Sequence, residues 1–183
     1  MNEQMSAKDI LAFWFDEVEP AMWWKVDPDF DDLIRGRFLS LMRQAAQGEL
    51  YSWRDGPRGR LAEIIVLDQF SRNVYRNTPQ AFAQDSMALA LAQEAVAAGA
   101  HHALTQTERG FLFLPYMHSE SAAIHQVAEP LYREYGAPEN YDFELRHKAI
   151  IDRFGRYPHR NETLGRMSTP EETEFLMQPG SSF

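Results

Sequence analysis

Glycine and proline punctuate this chain at intervals that suit helices. Ser6 can cap a helix carrying Ile10, Leu11, Phe13, Trp14 and Phe15 that ends near Glu17 to Pro20. Pro28, just after Asp27, opens a second helix over about 29–47, where Phe30, Leu33, Ile34, Phe38 and Leu41 recur at three-and-four spacing before Gly48. Gly56 and Pro57 start a third, with Leu61, Ile64, Ile65 and Leu67 on successive turns. Thr78 and Pro79 start a fourth through an alanine-rich stretch to Ala98, with Gly99 behind it. Thr105 and Glu108 form a capping-box pattern for a fifth through Phe113, which Pro115 is expected to interrupt. Further helices are expected over about 119–135 and 141–154, stopped by Gly136 and Gly155, and a short last one at Thr169, Pro170 and Glu172.

No alternating run bounded by hairpin turns competes with this pattern. The fold class is therefore all-α. Helices joined by short connections favour antiparallel hairpins packed side by side. No repeat of fixed period is visible, so the residues alone do not specify a regular solenoid. With 183 residues and 44% hydrophobic content, a single helical domain over 1–183 is expected, with a loose tail from about 178.

Composition narrows the chemistry. The chain has no cysteine, which removes disulfides, thiolate metal sites and thiol nucleophiles. It lacks a Walker loop, a dinucleotide glycine fingerprint and a G-x-S-x-G elbow. No paired-histidine helix motif supports a metal, and no cofactor is expected. The first residues lack an apolar signal core and no long apolar run occurs, so a soluble cytoplasmic protein is expected. A formal net charge of -9 argues against nucleic acid or an anionic membrane as partner. The charge is uneven: residues 1–50 hold ten Asp/Glu against five Lys/Arg, whereas 146–166 hold six Lys/Arg against two Asp/Glu.

That basic stretch contains RFGRYPHRN, Arg153 to Asn161, the densest cluster of polar donors in the chain. Arg153 ends a helix, where a cation suits the dipole. Arg156, His159, Arg160 and Asn161 lie beyond the helix and need another reason, either pairing with the acidic N-terminal half or facing an anionic ligand. A second cluster, DQFSRN, carries Asp68, Gln69, Arg72 and Asn73 at the end of an apolar helix. Asp68 and Arg72 are four apart and can pair on one face. A third, PYMHSE, sets His118, Ser119 and Glu120 at a helix junction. Ser119 is a plausible cap and Glu120 a first-turn acid, which leaves His118 without a structural reason. The aromatics Trp14, Phe15, Trp23, Trp24, Phe30, Phe38 and Trp53 are expected in a core or helix seam.

At these blocks the chain resembles a known bacterial family. FWF, then WW with K-x-D-x-x-FD, then LDQFSRN, FLFLPYMHSE and RFGRYPHRN-x-x-LGR-x-ST-x-EE occur in the family's order, over Ile10 to about Leu176. The family is catalogued as domain of unknown function 924. The resemblance implies a tetratricopeptide-repeat-like superhelical array of helical hairpins and implies no established activity. Its signature positions fall on Trp24, Asp68, Gln69, Arg72, Asn73, His118, Ser119, Glu120, Arg153, Gly155, Arg156, Pro158, His159, Arg160 and Asn161. Ser71 and Tyr157 depart from it where proline and phenylalanine are usual.

Three readings remain open. In the first, the clusters converge and Arg72, Asn73, Arg153, Arg156, Arg160, Asn161 and Gln69 hold a small anionic molecule. His118 or His159 is then a general acid or base, oriented by Asp68 or Glu120. In the second, a concave helical face clamps an acidic peptide. In the third, the clusters pair with one another as a buried network that fixes helix register.

Overall fold

The computed structural model describes residues 5–183, and among them the regular structure is entirely helical. Helix α1 is Ala7–Ala12, continued by a wide π turn Phe13–Glu17. Ser6 and Asp9 cap it reciprocally. Helix α2 is Pro28–Ala46, capped by Asp27 with proline at its first position. Helix α3 is Pro57–Ile65; it runs through a second π turn, Val66–Phe70, into the short α4, Ser71–Val74. Then come α5 (Asp85–Ala97), α6 (Gln106–Met117), α7 (Ala122–Tyr135), α8 (Pro138–Phe154) and α9 (Pro170–Leu176).

The sequence punctuation locates most of these ends. Gly155 adopts φ 70°, the left-handed stop expected behind α8. Thr105 with Glu108, and Thr169 with Glu172, close the capping boxes of α6 and α9. Three boundaries differ. The segment from Pro79 is not one helix to Ala98: a 3-10 turn, Pro79–Phe82, is followed by a break before α5 begins at Asp85. Pro115 does not interrupt α6, which runs to Met117. Proline near a helix end forfeits only one hydrogen bond, and its neighbours here are buried. Helix α7 begins at Ala122 behind Ser121, so Ser119 is not its cap and Glu120 lies outside its first turn.

Leu61, Ala62, Ile64, Ile65, Val66, Leu67 and Phe70 are all shut from solvent, so this stretch of α3 and its π turn is buried on every face and central, and the buried Glu63 within it is forked by Arg54. It packs against α1, α5 and α6, while α6–α7 and α7–α8 form the sequential pairs expected of hairpins. Phe13, Trp14, Phe30, Phe38 and Phe70 interlock beside it, with Phe13 and Phe38 ring centroids 4.7 Å apart. Trp24 is the exception among the aromatics expected in the core or seam: it is largely exposed and stacks on Phe111. At the other end, Ile150, Ile151 and Tyr157 make a smaller core with Phe154 and Phe175. The last residues turn back over α8. Ser181 is buried and the Phe183 ring stacks on His147 at 3.8 Å.

Candidate functional site

Asp68 sits in the π turn of the central helix, where burial on every side leaves its carboxylate 1% exposed. A carboxylate there must be matched. His118 Nδ1 lies 2.7 Å from Asp68 Oδ1, Gln69 Nε2 donates to Oδ2 at 2.6 Å, and an Arg72 amino group is 3.1 Å from Oδ1. Burial works to raise the Asp68 pKa. The charges of Arg72 and His118 outweigh it and hold the group far below the usual carboxylate range. Wide π turns recur at functional positions because the extra residue re-aims side chains, and Asp68 occupies one.

Arg72 continues the chain of charges outward. Its two amino groups fork onto Asp85 at 2.9 and 3.0 Å. Burial opposes its charge, but Asp68 and Asp85 raise its pKa above the ordinary value. Asp85 Oδ2 in turn lies 3.6 Å from Arg160. Arg160 comes from the turn Pro158–Arg160 behind α8 and is packed between two rings, 4.6 Å from the Phe82 centroid and 4.7 Å from that of Tyr157. Its guanidinium is buried, yet among the described residues it makes no hydrogen bond, and its Nε is left wholly unpartnered. Burial and then the Arg72 charge push its pKa down.

The histidines differ in state. Burial, helped by Arg72, pushes His118 below its ordinary value against the pull of Asp68. A neutral His118 whose Nδ1–H donates to Asp68 leaves Nε2 as an acceptor. His159 is pushed to about 4 by burial and by Arg160, and its Nδ1 has no partner among the described residues. His147 is pushed to about 3 by burial although its Nδ1–H donates to the Phe143 carbonyl. His125 is the most enclosed. Its Nε2–H donates to the Ser119 carbonyl at 2.8 Å, so Nδ1 shares a single further proton with Glu144 Oε1, 2.7 Å away. Burial raises the Glu144 pKa against that contact.

The three clusters do meet, but their members divide. Asp68, Gln69, Arg72, His118 and Arg160 form one continuous network, with His159 beside Arg160 and Tyr157. Glu120, Arg156 and Asn161 belong to a second, and Arg153 stands apart from both. Glu120 accepts from the Tyr157 N–H at 2.7 Å and from both amino groups of Arg166. Arg156 forks onto Glu172 at 2.7 and 2.8 Å, Asn161 joins Glu172 and Arg166, and Arg153 pairs with Glu171. The acids that answer Arg153 and Arg156 thus come from α9 and not from the acidic N-terminal half. Asn73 points elsewhere, donating to Asp31, which Arg76 also clamps.

Sequence reasoning missed Phe82 and Asp85, for which an alanine-rich stretch gives no signal. It also missed Arg166, the pairing of the capping residue Glu172 with Arg156, and the His125–Glu144 pair. Among the described residues no group of three or more His, Asp or Glu side chains is arranged to hold a metal ion. None of the helices described is long and apolar enough to cross a membrane.

These features define an all-helical protein with a buried Asp–His pair linked through alternating charges to a stacked, underused arginine. The chain belongs to the family described as bacterial protein of unknown function, DUF924, whose model matches residues 10–180. It is similar to a solved structure of a protein of unknown function, ATU0120, from Agrobacterium tumefaciens. The two share 38% identity at a TM-score of 0.88, over 93% of this chain and 96% of that one. No curated protein matches the chain.

Proposed function

We propose that this protein binds a small anionic molecule bearing a carboxylate or phosphate, at Arg160 and the outer edge of Arg72. The Asp68–His118 pair beside them is placed to give and take a proton. The observation that carries the reading is Arg160. A desolvated guanidinium normally has its donors filled, because leaving them empty costs more than the stacking energy of its rings returns. Here two rings hold the group flat, and the nearest carboxylate stands 3.6 Å away, too far to accept a hydrogen bond. An anion would complete it.

His118 supports the acid–base part. Its Nδ1 is fixed by Asp68 and its side chain remains 14% exposed, which leaves Nε2 as the nitrogen to exchange a proton with a small molecule. Calorimetric titration of the parent protein and Arg160→Gln with acetate and inorganic phosphate tests the reading. The parent should saturate, and the variant should bind at least about tenfold more weakly, the value of one charge-assisted contact. Equal binding by both proteins would remove Arg160 from the account.

A structural role is favoured for the second network and for Arg153 by saturation: Arg153, Arg156 and Arg166 all fork onto or pair with acids. That saturation also weakens the acidic-peptide reading, since Arg153 and Arg156 would have to abandon Glu171 and Glu172. A superhelical array is the arrangement such a peptide would need, whereas α3 packs against α1, α5 and α6 and not only against its neighbours in sequence.

A further inference from the structure

Asp85 is the residue in the site with no role in holding an anion, and its position bears on which anion fits. It opens α5, just after the break that follows Phe82. This short stretch supplies both the ring that covers Arg160 and the carboxylate that bridges Arg72 and Arg160. Arg72 and Arg160 bring two positive charges, and Asp68 and Asp85 bring two negative ones. Glu120, the other acid facing Arg160 electrostatically, is neutralised by its fork with Arg166. The site is balanced before any ligand arrives.

Resting on the anion-binding reading above, we infer that Asp85 sets the charge of the ligand, so that the site takes singly charged carboxylates and rejects dianions such as sulfate. An anion seated on the Arg160 guanidinium lies beside the Asp85 carboxylate, because the same cation touches both. Repulsion between ligand and Asp85 scales with ligand charge and is strong where water is scarce. A monoanion leaves this balanced site with one negative charge in excess, which the direct contact with Arg160 offsets. A dianion leaves two, and nothing nearby offsets the second. Asp85 cannot simply swing away, since both its oxygens are held by Arg72.

The test is calorimetric titration with acetate and with sulfate at constant ionic strength, on the parent and on Asp85→Asn, which keeps the shape and removes the charge. The parent should bind acetate more tightly than sulfate. The variant should gain about tenfold or more for sulfate and less for acetate, so that the preference narrows or inverts. A parent that prefers sulfate, or a variant with an unchanged sulfate-to-acetate ratio, overturns the inference while leaving anion binding intact. Absence of binding of either anion to either protein overturns the anion-binding reading itself, and the inference with it. If Asp85→Asn does not fold, the parent's own ratio decides.

Discussion

His118 Nδ1 meets Asp68 Oδ1 at 2.7 Å, joining positions 50 residues apart and fastening the end of α6 to the π turn of the central helix. The contact fixes the imidazole's tautomer and helps to neutralise a carboxylate that has no water to turn to. Asp68→Asn removes the charge and leaves Arg72 without its innermost partner. Breaking one side of a buried pair costs about 3 kcal/mol or more, so urea denaturation should show a loss of that size. The same variant removes the pull that holds the His118 pKa up, so His118 should titrate lower still when followed by NMR.

Acid should weaken the protein through two buried histidines. His159 and His147 titrate at about 4 and about 3 in the folded chain and near 6.5 when unfolded. Between those values the unfolded chain binds protons that the folded one does not, so stability falls as pH drops from about 6.5 towards 4. At neutral pH neither histidine contributes such a term. For His159 alone the loss at pH 4 is on the order of 3 kcal/mol, and urea midpoints for the parent and His159→Gln should converge on descending through that window.

The second network is expected to act as a clamp on the 157–172 segment. Glu120→Gln keeps an acceptor for the Tyr157 N–H but breaks the fork with Arg166, whose side chain is only partly exposed. A loss of about 2 kcal/mol is expected. Proteolysis within 162–169 should become faster in step with it.

Two glycines make opposite demands. Gly155 needs φ 70°, but nothing lies within 4 Å of an added Cβ, so Gly155→Ala should cost only the backbone penalty, about 1 kcal/mol. Gly59 has an ordinary helical backbone, but its Cβ would stand 1.9 Å from the Trp53 carbonyl oxygen. Gly59→Ala must displace the backbone and should cost about 3 kcal/mol, measured by thermal or urea unfolding.

How far the sequence reaches is visible in these same residues. Caps and stops are local chemistry, so Ser6, Pro57, Thr105, Gly155 and Thr169 mark their helices directly. The pairing of Asp68 with Arg72 follows from a four-residue spacing, although nothing local reveals that it is buried. The link from Asp68 to His118 depends on tertiary packing, as does the division of the arginine-rich loop. Arg156 and Arg160 look alike four residues apart, yet one finds Glu172 and the other is stacked against two rings with its Nε unpartnered. Asp85 was hidden because an acid at the start of an alanine-rich helix has an ordinary explanation in the helix dipole. Pro115 and the break before Asp85 misled in opposite senses. Local propensity yielded to burial around Pro115, and the helix suggested from Pro79 gave way where Phe82 and Asp85 turn towards the arginines.

The central claim is that Arg160 holds its donors ready for an anion. The most direct measurement is the Nε–H resonance of Arg160 in nitrogen-15-labelled protein, assigned with Arg160→Gln and followed as acetate is added. The account predicts a saturable shift at Arg160, accompanied by His118 and tracking the calorimetric affinity, while the Arg156 and Arg166 resonances stay in place. An Arg160 resonance that does not move at saturating acetate, or that moves no more than those two, would contradict it.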